Sequence, residues 1–186
     1  MKSLIASIRL VIVTMLVCVA GYTALILGIA QIVTPGTAEG SLIKDKDGKI
    51  IGSHLIAQSF TNVAHFWPRP SAVGYNAAGA GGSNKSPTST NLTERAQQLI
   101  EQYGASVAKP LPANLAAASG GGLDPHITEQ AALYQVERVA KARGIPPSQV
   151  EALVKKQAFA PGGALTPDRL VNVLELNLSL DASATK

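Results

Sequence analysis

Residues 10–33 read LVIVTMLVCVAGYTALILGIAQIV, and the architecture of the chain turns on this stretch. No Asp, Glu, Lys or Arg interrupts it, and its polar interruptions are Thr14, Tyr22, Thr23 and Gln31. Its 24 residues would span about 36 Å as a helix at ~1.5 Å per residue, against a bilayer hydrocarbon core of about 30 Å. The run is therefore expected to cross a membrane with modest tilt. Lys2, Arg9 and the α-amino group precede it, whereas the first charge after it is Glu39 and the first base is Lys44. The positive-inside bias then predicts a cytoplasmic N-terminus at 1–9, a transmembrane helix at 10–33 and an extracytoplasmic domain at 34–186. A cleaved signal peptide is the competing reading, with Gly36-Thr37-Ala38 as its processing site. The run exceeds the usual h-region of about 7–15 residues, which favours an anchor. Gly21 and Gly28 fall on nearly one helix face, where a partner helix can approach closely; glycine is also simply frequent in membrane helices.

The formal charge is +4 and the isoelectric point is near 9.3, but Lys2 and Arg9 account for two of those charges. Acids and bases are interspersed through the remainder with no block of like charge, so the composition makes no case for nucleic-acid binding. The single cysteine, Cys18, lies inside the apolar run. The outer segment thus has no disulfide and no thiolate chemistry, as fits a bacterial exported domain that folds on its core alone. Asn91-Leu92-Thr93 and Asn177-Leu178-Ser179 are then chance sequon matches.

Along the outer segment, Thr34-Pro35-Gly36-Thr37 ends the membrane helix. Ser41–Lys44, an Asp45-Lys46-Asp47-Gly48 turn and Lys49–Ser53 predict a hairpin, with His54–Phe60 extending its second strand. Residues 61–90 are rich in Gly, Pro and aromatics and predict a long loop pinned by Phe66, Trp67 and Tyr75. A helix is expected over Asn91–Val107, with Asn91 and Glu94 as a capping box. Leu92, Ala96, Leu99, Ile100, Tyr103 and Val107 would form its apolar face. Ser119–Gly122 predicts a turn. Asp124 and Pro125 predict the cap and first position of a helix running to Arg143 and stopped by Gly144, with Ala132, Val136, Val139 and Ala140 inward. Pro146-Pro147-Ser148 opens a further helix with Val150, Leu153 and Val154 on its apolar side, and Gly162-Gly163 closes that region. The tail from Val171 to Leu180 alternates apolar and polar residues over Leu176-Asn177-Leu178-Ser179-Leu180, as a half-buried strand does. The expected fold class is α+β: one N-terminal transmembrane helix followed by a single mixed domain.

No catalytic constellation emerges. His54, His65 and His126 do not follow metal-ligand spacing, although their convergence with Asp124 would make a metal site. Gly79–Asn84 lacks the Gly-Lys-Ser/Thr of a Walker loop, and no Gly-x-Ser-x-Gly occurs. A phosphorylatable Asp-Lys-Thr-Gly segment is also missing.

Several segments together carry a resemblance. They are Gly52–Phe60, Phe66-Trp67-Pro68-Arg69-Pro70-Ser71-Ala72, Tyr75-Asn76, Gly81-Gly82-Ser83-Asn84, Ala118–Ile127, Gln135, Arg138–Gly144 and Val171–Leu178. In this order, membrane helix included, the chain resembles the C subunit of the bacterial Kdp potassium-transporting ATPase. Two departures stand out: Ala57 where the family usually has Gly, and Gly121 within Ser119-Gly120-Gly121-Gly122 where Ser-Gly-Ser-Gly is common. A methyl at residue 57 matters only if φ there is positive.

The resemblance implies an accessory subunit of a high-affinity potassium importer in the inner (plasma) membrane. Its implied partners are a channel-like potassium-binding subunit and an ATP-hydrolysing P-type subunit; the complex carries potassium and uses ATP. The family is described as assisting ATP binding, a catalytic chaperone role with Gln58 as candidate nucleotide contact. The charge asymmetry puts Gln58 across the membrane from cytoplasmic ATP, so any effect on ATP affinity is expected to be indirect. Candidate partner contacts are Trp67, Arg69, Tyr75, Asn76, Gly82, Ser83, Asn84, Asp124 and His126. No metal and no catalytic residue is assigned. The competing class is a membrane-anchored exported enzyme built on His126, Asp124 and Ser83, or a metal-binding domain.

Overall fold

A computed structural model describes residues 2–166 and 168–184. The chain divides into two compact units, residues 1–53 and 54–186.

The first unit opens with a helix over Lys2–Val33, long and apolar enough to cross a membrane. It starts eight residues before the apolar run, because residues 2–9 contain nothing that breaks a helix. It comprises α1 (Lys2–Met15), a π-helical turn at Leu16–Gly21 and α2 (Tyr22–Val33). None of its side chains is buried within the unit, as expected of a segment whose solvent is lipid. A single-turn helix α3 (Pro35–Ala38) follows, with Pro35 at its first position, and then the hairpin of β1 (Leu42–Lys44) and β2 (Ile50–Ser53). Asp45 Oδ1 accepts hydrogen bonds from the N–H groups of Asp47 and Lys49 at 3.0 and 2.9 Å, and Gly48 takes φ +78°. That is the turn its sequence predicts.

In the second unit the expected extension of β2 does not occur. His54 and Leu55 form a turn, and Ala57 N–H donates to Leu123 O at 2.9 Å. Residues 57–89 contain turns but no helix or strand. Helix α4 (Thr90–Tyr103) follows, ended by Gly104 in the left-handed region. Its cap residue is Ser89, with no side-chain capping bond, so Asn91 and Glu94 lie inside the helix and form no capping box. Val107 falls beyond that end and is fully exposed. A short α5 (Ala113–Ala116) buries Leu115.

Asp124 and Pro125 do not open a helix. His126–Thr128 form β3, which pairs antiparallel with β4 (Leu170–Asn172) in the register Ile127↔Val171. The true cap is Thr128, whose Oγ1 accepts from Ala131 N–H at 3.2 Å at the start of α6 (Glu129–Arg143). Gly144 closes α6 in the left-handed conformation, as expected. α7 (Pro147–Gln157) buries Val150 and Val154 and leaves Leu153 half-buried.

The tail is the largest revision. Only Leu170–Asn172 is strand, and Val173–Ala184 form helix α8. Asn172 Oδ1 accepts from the N–H groups of Leu174 and Glu175 at 3.1 and 3.3 Å and so caps the helix. Val173, Leu176, Asn177 and Leu180 are buried, which is the i, i+3, i+4, i+7 spacing of one helix face. The Leu176-Asn177-Leu178-Ser179-Leu180 alternation is too short to tell the two periods apart.

The core joins Phe66, Leu115 and Ile127 to the inward faces of α6, α7 and α8. Helical burial has a quantitative consequence. Leu176→Ala should destabilise the protein by about 2–5 kcal/mol in denaturant unfolding, whereas Leu178→Ala, at a half-buried position, should cost less than half as much. Equal costs would be the signature of a strand.

Candidate functional site

The loop beyond Trp67 is laced to residues 115–126. Its root is the dipeptide Phe66-Trp67, both members buried. Asn177 Oδ1 accepts from Phe66 N–H at 2.7 Å while Asn177 Nδ2 donates to Phe66 O at 3.0 Å. Gln135 does the same for Trp67, accepting from its N–H at 2.9 Å and donating to its carbonyl at 3.1 Å. Two side-chain amides thus replace the neighbouring strands that this extended segment lacks. Arg138 adds a third hold. Its guanidinium stacks 3.7 Å from the Trp67 ring centroid, donates to Val63 O and His65 O, and reaches Gln135 Oε1 at 2.7 Å. Burial pushes the Arg138 pKa down to about 10, partly opposed by Tyr103, so the group stays cationic at neutral pH. Burial likewise pushes the Tyr103 and Tyr75 phenols up.

Past the root, Arg69 Nη1 lies 3.2 Å from Asp124 Oδ2, and its Nη2 and Nε donate to Ala118 O and Ala117 O at 3.3 and 3.4 Å. Ser71 Oγ donates to Gly122 O at 2.7 Å and accepts from Tyr75 N–H at 2.9 Å. Tyr75 has φ +60°, and its hydroxyl donates to Arg69 O at 2.8 Å. Gly81 N–H donates to Gly121 O at 2.9 Å, and a Cβ on Gly82 would meet Gly120 O at 2.7 Å. Only glycine allows that backbone approach.

The structure therefore brings Arg69, Tyr75, Gly82 and Asp124 into one pair of interlocked loops, with His126 beside Asp124 at the start of β3. Asn76 and Asn84 are exposed at its edge, Asn84 with φ +47°, and Ser83 is half-buried. Trp67 lies beneath as the anchor. Gln58 is half-buried in the segment that leads to Ala57 and Leu123. Ala57 is not among the positive-φ residues, so alanine fits its backbone.

The three histidines do not converge. His54 Nδ1 meets Glu175 Oε1 at 2.6 Å, His65 Nε2 meets Asp181 Oδ1 at 3.1 Å, and His126 Nδ1 meets Asp124 Oδ1 at 3.2 Å. Among the described residues no group of three or more His, Cys, Asp or Glu is placed to hold a metal ion. Among those residues Asp124 Oδ1 meets His126 N–H and Nδ1 at 3.0 and 3.2 Å, and no hydrogen bond joins Ser83 to either side chain.

The family described as K+-transporting ATPase, c chain (KdpC), matches residues 4–182. The chain belongs to the KdpC family. A potassium-transporting ATPase KdpC subunit of Parvibaculum lavamentivorans is 63% identical over 185 residues, covering 100% of this chain and 99% of that one. Those of Burkholderia orbicola and Geotalea uraniireducens are 44% and 42% identical, covering 98% and 97% of this chain and 98% of each relative.

Sequence reasoning did not single out Gln135, Asn177, Arg138 or Arg143 for a role in this KdpC chain. The available signal was a carboxamide on an apolar helix face: Gln135 beside Ala131, Ala132 and Val136, and Asn177 beside Val173, Leu176 and Leu180.

Two carboxylates in the second unit make stability pH-dependent. Burial alone pushes the Asp124 carboxyl up, but the His126 ring and backbone hydrogen bonds and the His126 and Arg69 charges outweigh it and hold it low. At Asp181 burial is again opposed and outweighed, here by hydrogen bonds and charge from Arg143 and His65. Depressed folded values mean that the unfolded chain binds more protons in acid. The stabilisation is complete above the ordinary value of 3.8 and is lost as pH falls through the lower folded values. The thermal midpoint should therefore drop below about pH 4, and Asp124→Asn with Asp181→Asn should flatten that acid limb.

Proposed function

We propose that this chain is the non-catalytic accessory subunit of a high-affinity, ATP-driven potassium uptake complex. The observation that carries this is the KdpC match across residues 4–182, which takes in the apolar helix and the domain together. In this reading residues 10–33 anchor the chain in the inner membrane, with 1–9 in the cytoplasm and 34–186 in the periplasm. The interlocked loops carrying Arg69, Tyr75, Asn76, Gly82, Ser83, Asn84 and Asp124, with His126 beside them, contact the channel-like potassium-binding subunit from outside and shape ion entry. Trp67 supports them from below.

The catalytic chaperone role, raising the ATP affinity of the ATP-hydrolysing P-type subunit, acts by coupling through the complex. Gln58 lies across the membrane from cytoplasmic ATP in this topology, so direct contact is not required. A coupling of about 1–3 kcal/mol shifts affinity 5- to 150-fold.

The test is reconstitution. Chain purified free of partners should release no phosphate from ATP, with or without potassium, while its omission from the complex should abolish potassium-stimulated ATPase activity. Turnover by the lone chain that disappears on a point substitution within it would contradict the proposal. Protease added to intact spheroplasts should digest residues beyond about 35, and full protection would reverse the topology. Arg69→Ala should weaken assembly while costing the domain only about 1–3 kcal/mol, because it removes loop-to-loop bonds and leaves the core intact.

A further inference from the structure

The polarity of Gln135 and Asn177 is not explained by the core that surrounds them. Both are about 1% exposed. An apolar side chain would fill either space, and most of their neighbours on α6 and α8 are apolar. What an apolar side chain cannot do is meet the N–H and C=O of Phe66 and Trp67, which face the two amides at 2.7 to 3.1 Å. Gln135 of α6 holds Trp67 and Asn177 of α8 holds Phe66, so the dipeptide is gripped from two helices. Beyond the grip the loop holds Tyr75 at φ +60°, a conformation that a bulky residue keeps only where its surroundings over-determine it.

We infer that Gln135 and Asn177 are positioning residues for the subunit-contact surface. They fix the root of loop 69–84, so that its exposed edge around Asn76 and Ala80 is already in its binding conformation before a partner arrives. This rests on the reading that the loop meets another subunit. Pre-ordering lowers the cost of association, and loosening the root reduces the fraction of chains competent to dock.

Gln135→Glu in the full chain is the direct test. The carboxylate keeps an acceptor for Trp67 N–H and for Arg138 but cannot donate to Trp67 O. Trp67 is the only tryptophan, so its emission reports the root alone. The expected result is an unchanged helical circular dichroism signal, Trp67 emission shifted to longer wavelength, and assembly into the complex weakened roughly tenfold. Gln135→Met serves if Gln135→Glu does not fold, and failure of both to fold would make the residue structural and overturn the inference. Ala80→Arg, on the exposed edge, separates the two claims. Assembly lost there but normal in Gln135→Glu with displaced Trp67 overturns the positioning role. Normal assembly in both variants overturns the contact reading itself.

Discussion

The irregular segment of the second unit depends on the pairing of two buried carboxamides with the backbone of two consecutive residues. Residues 57–89 form neither helix nor strand, yet they enter the core at Phe66 and Trp67. Backbone groups buried there need partners, because each one left unmet costs about 1–3 kcal/mol. Asn177 and Gln135 meet four of them. Without that pairing the root would carry buried backbone groups with no partner and would loosen around Phe66 and Trp67, while α6, α7 and α8 keep their own packing.

Arginines extend the same logic outward. Arg138 caps the carbonyls of Val63 and His65, and Arg143 reaches Ala64 O at 2.6 Å and Asp181 at 2.6 Å. Arg69 does so for Ala117 and Ala118. A guanidinium has five donors in a fixed fork, so one side chain can satisfy several carbonyls of an irregular chain. These cations thus serve chiefly as hydrogen-bond donors to backbone. Half-buried Asp124 facing Arg69 and exposed Asp181 facing Arg143 carry the expected loss of stability in acid.

Legibility in the sequence followed the range of the interaction. The apolar run, the Asp-Gly hairpin, and helices α6 and α7 with their inward residues were readable, because each is set by neighbours within a few positions. Asp124-Pro125 was misleading: Asp124 serves Arg69 and His126, contacts made by folding, while Thr128 four residues on takes the cap. Leu176–Leu180 read as a strand because five residues cannot distinguish period 2 from period 3.6; the cap at Asn172 and burial of Val173 and Leu180 decide it. The loops at 69–84 and 117–124 were marked by their glycines and aromatics, but their interlocking, and the roles of Gln135 and Asn177 over 68 and 111 residues of chain, depend on long-range packing.

Amide hydrogen exchange at Phe66 and Trp67, measured on the full chain against core amides of α6 such as Val139, tests the carboxamide pairing most directly. If the pairing holds this irregular segment as part of the core, both amides exchange only through global unfolding, with protection equal to that of Val139. Exchange of Phe66 and Trp67 at the rate of the exposed loop amides, while Val139 stays protected, would contradict it.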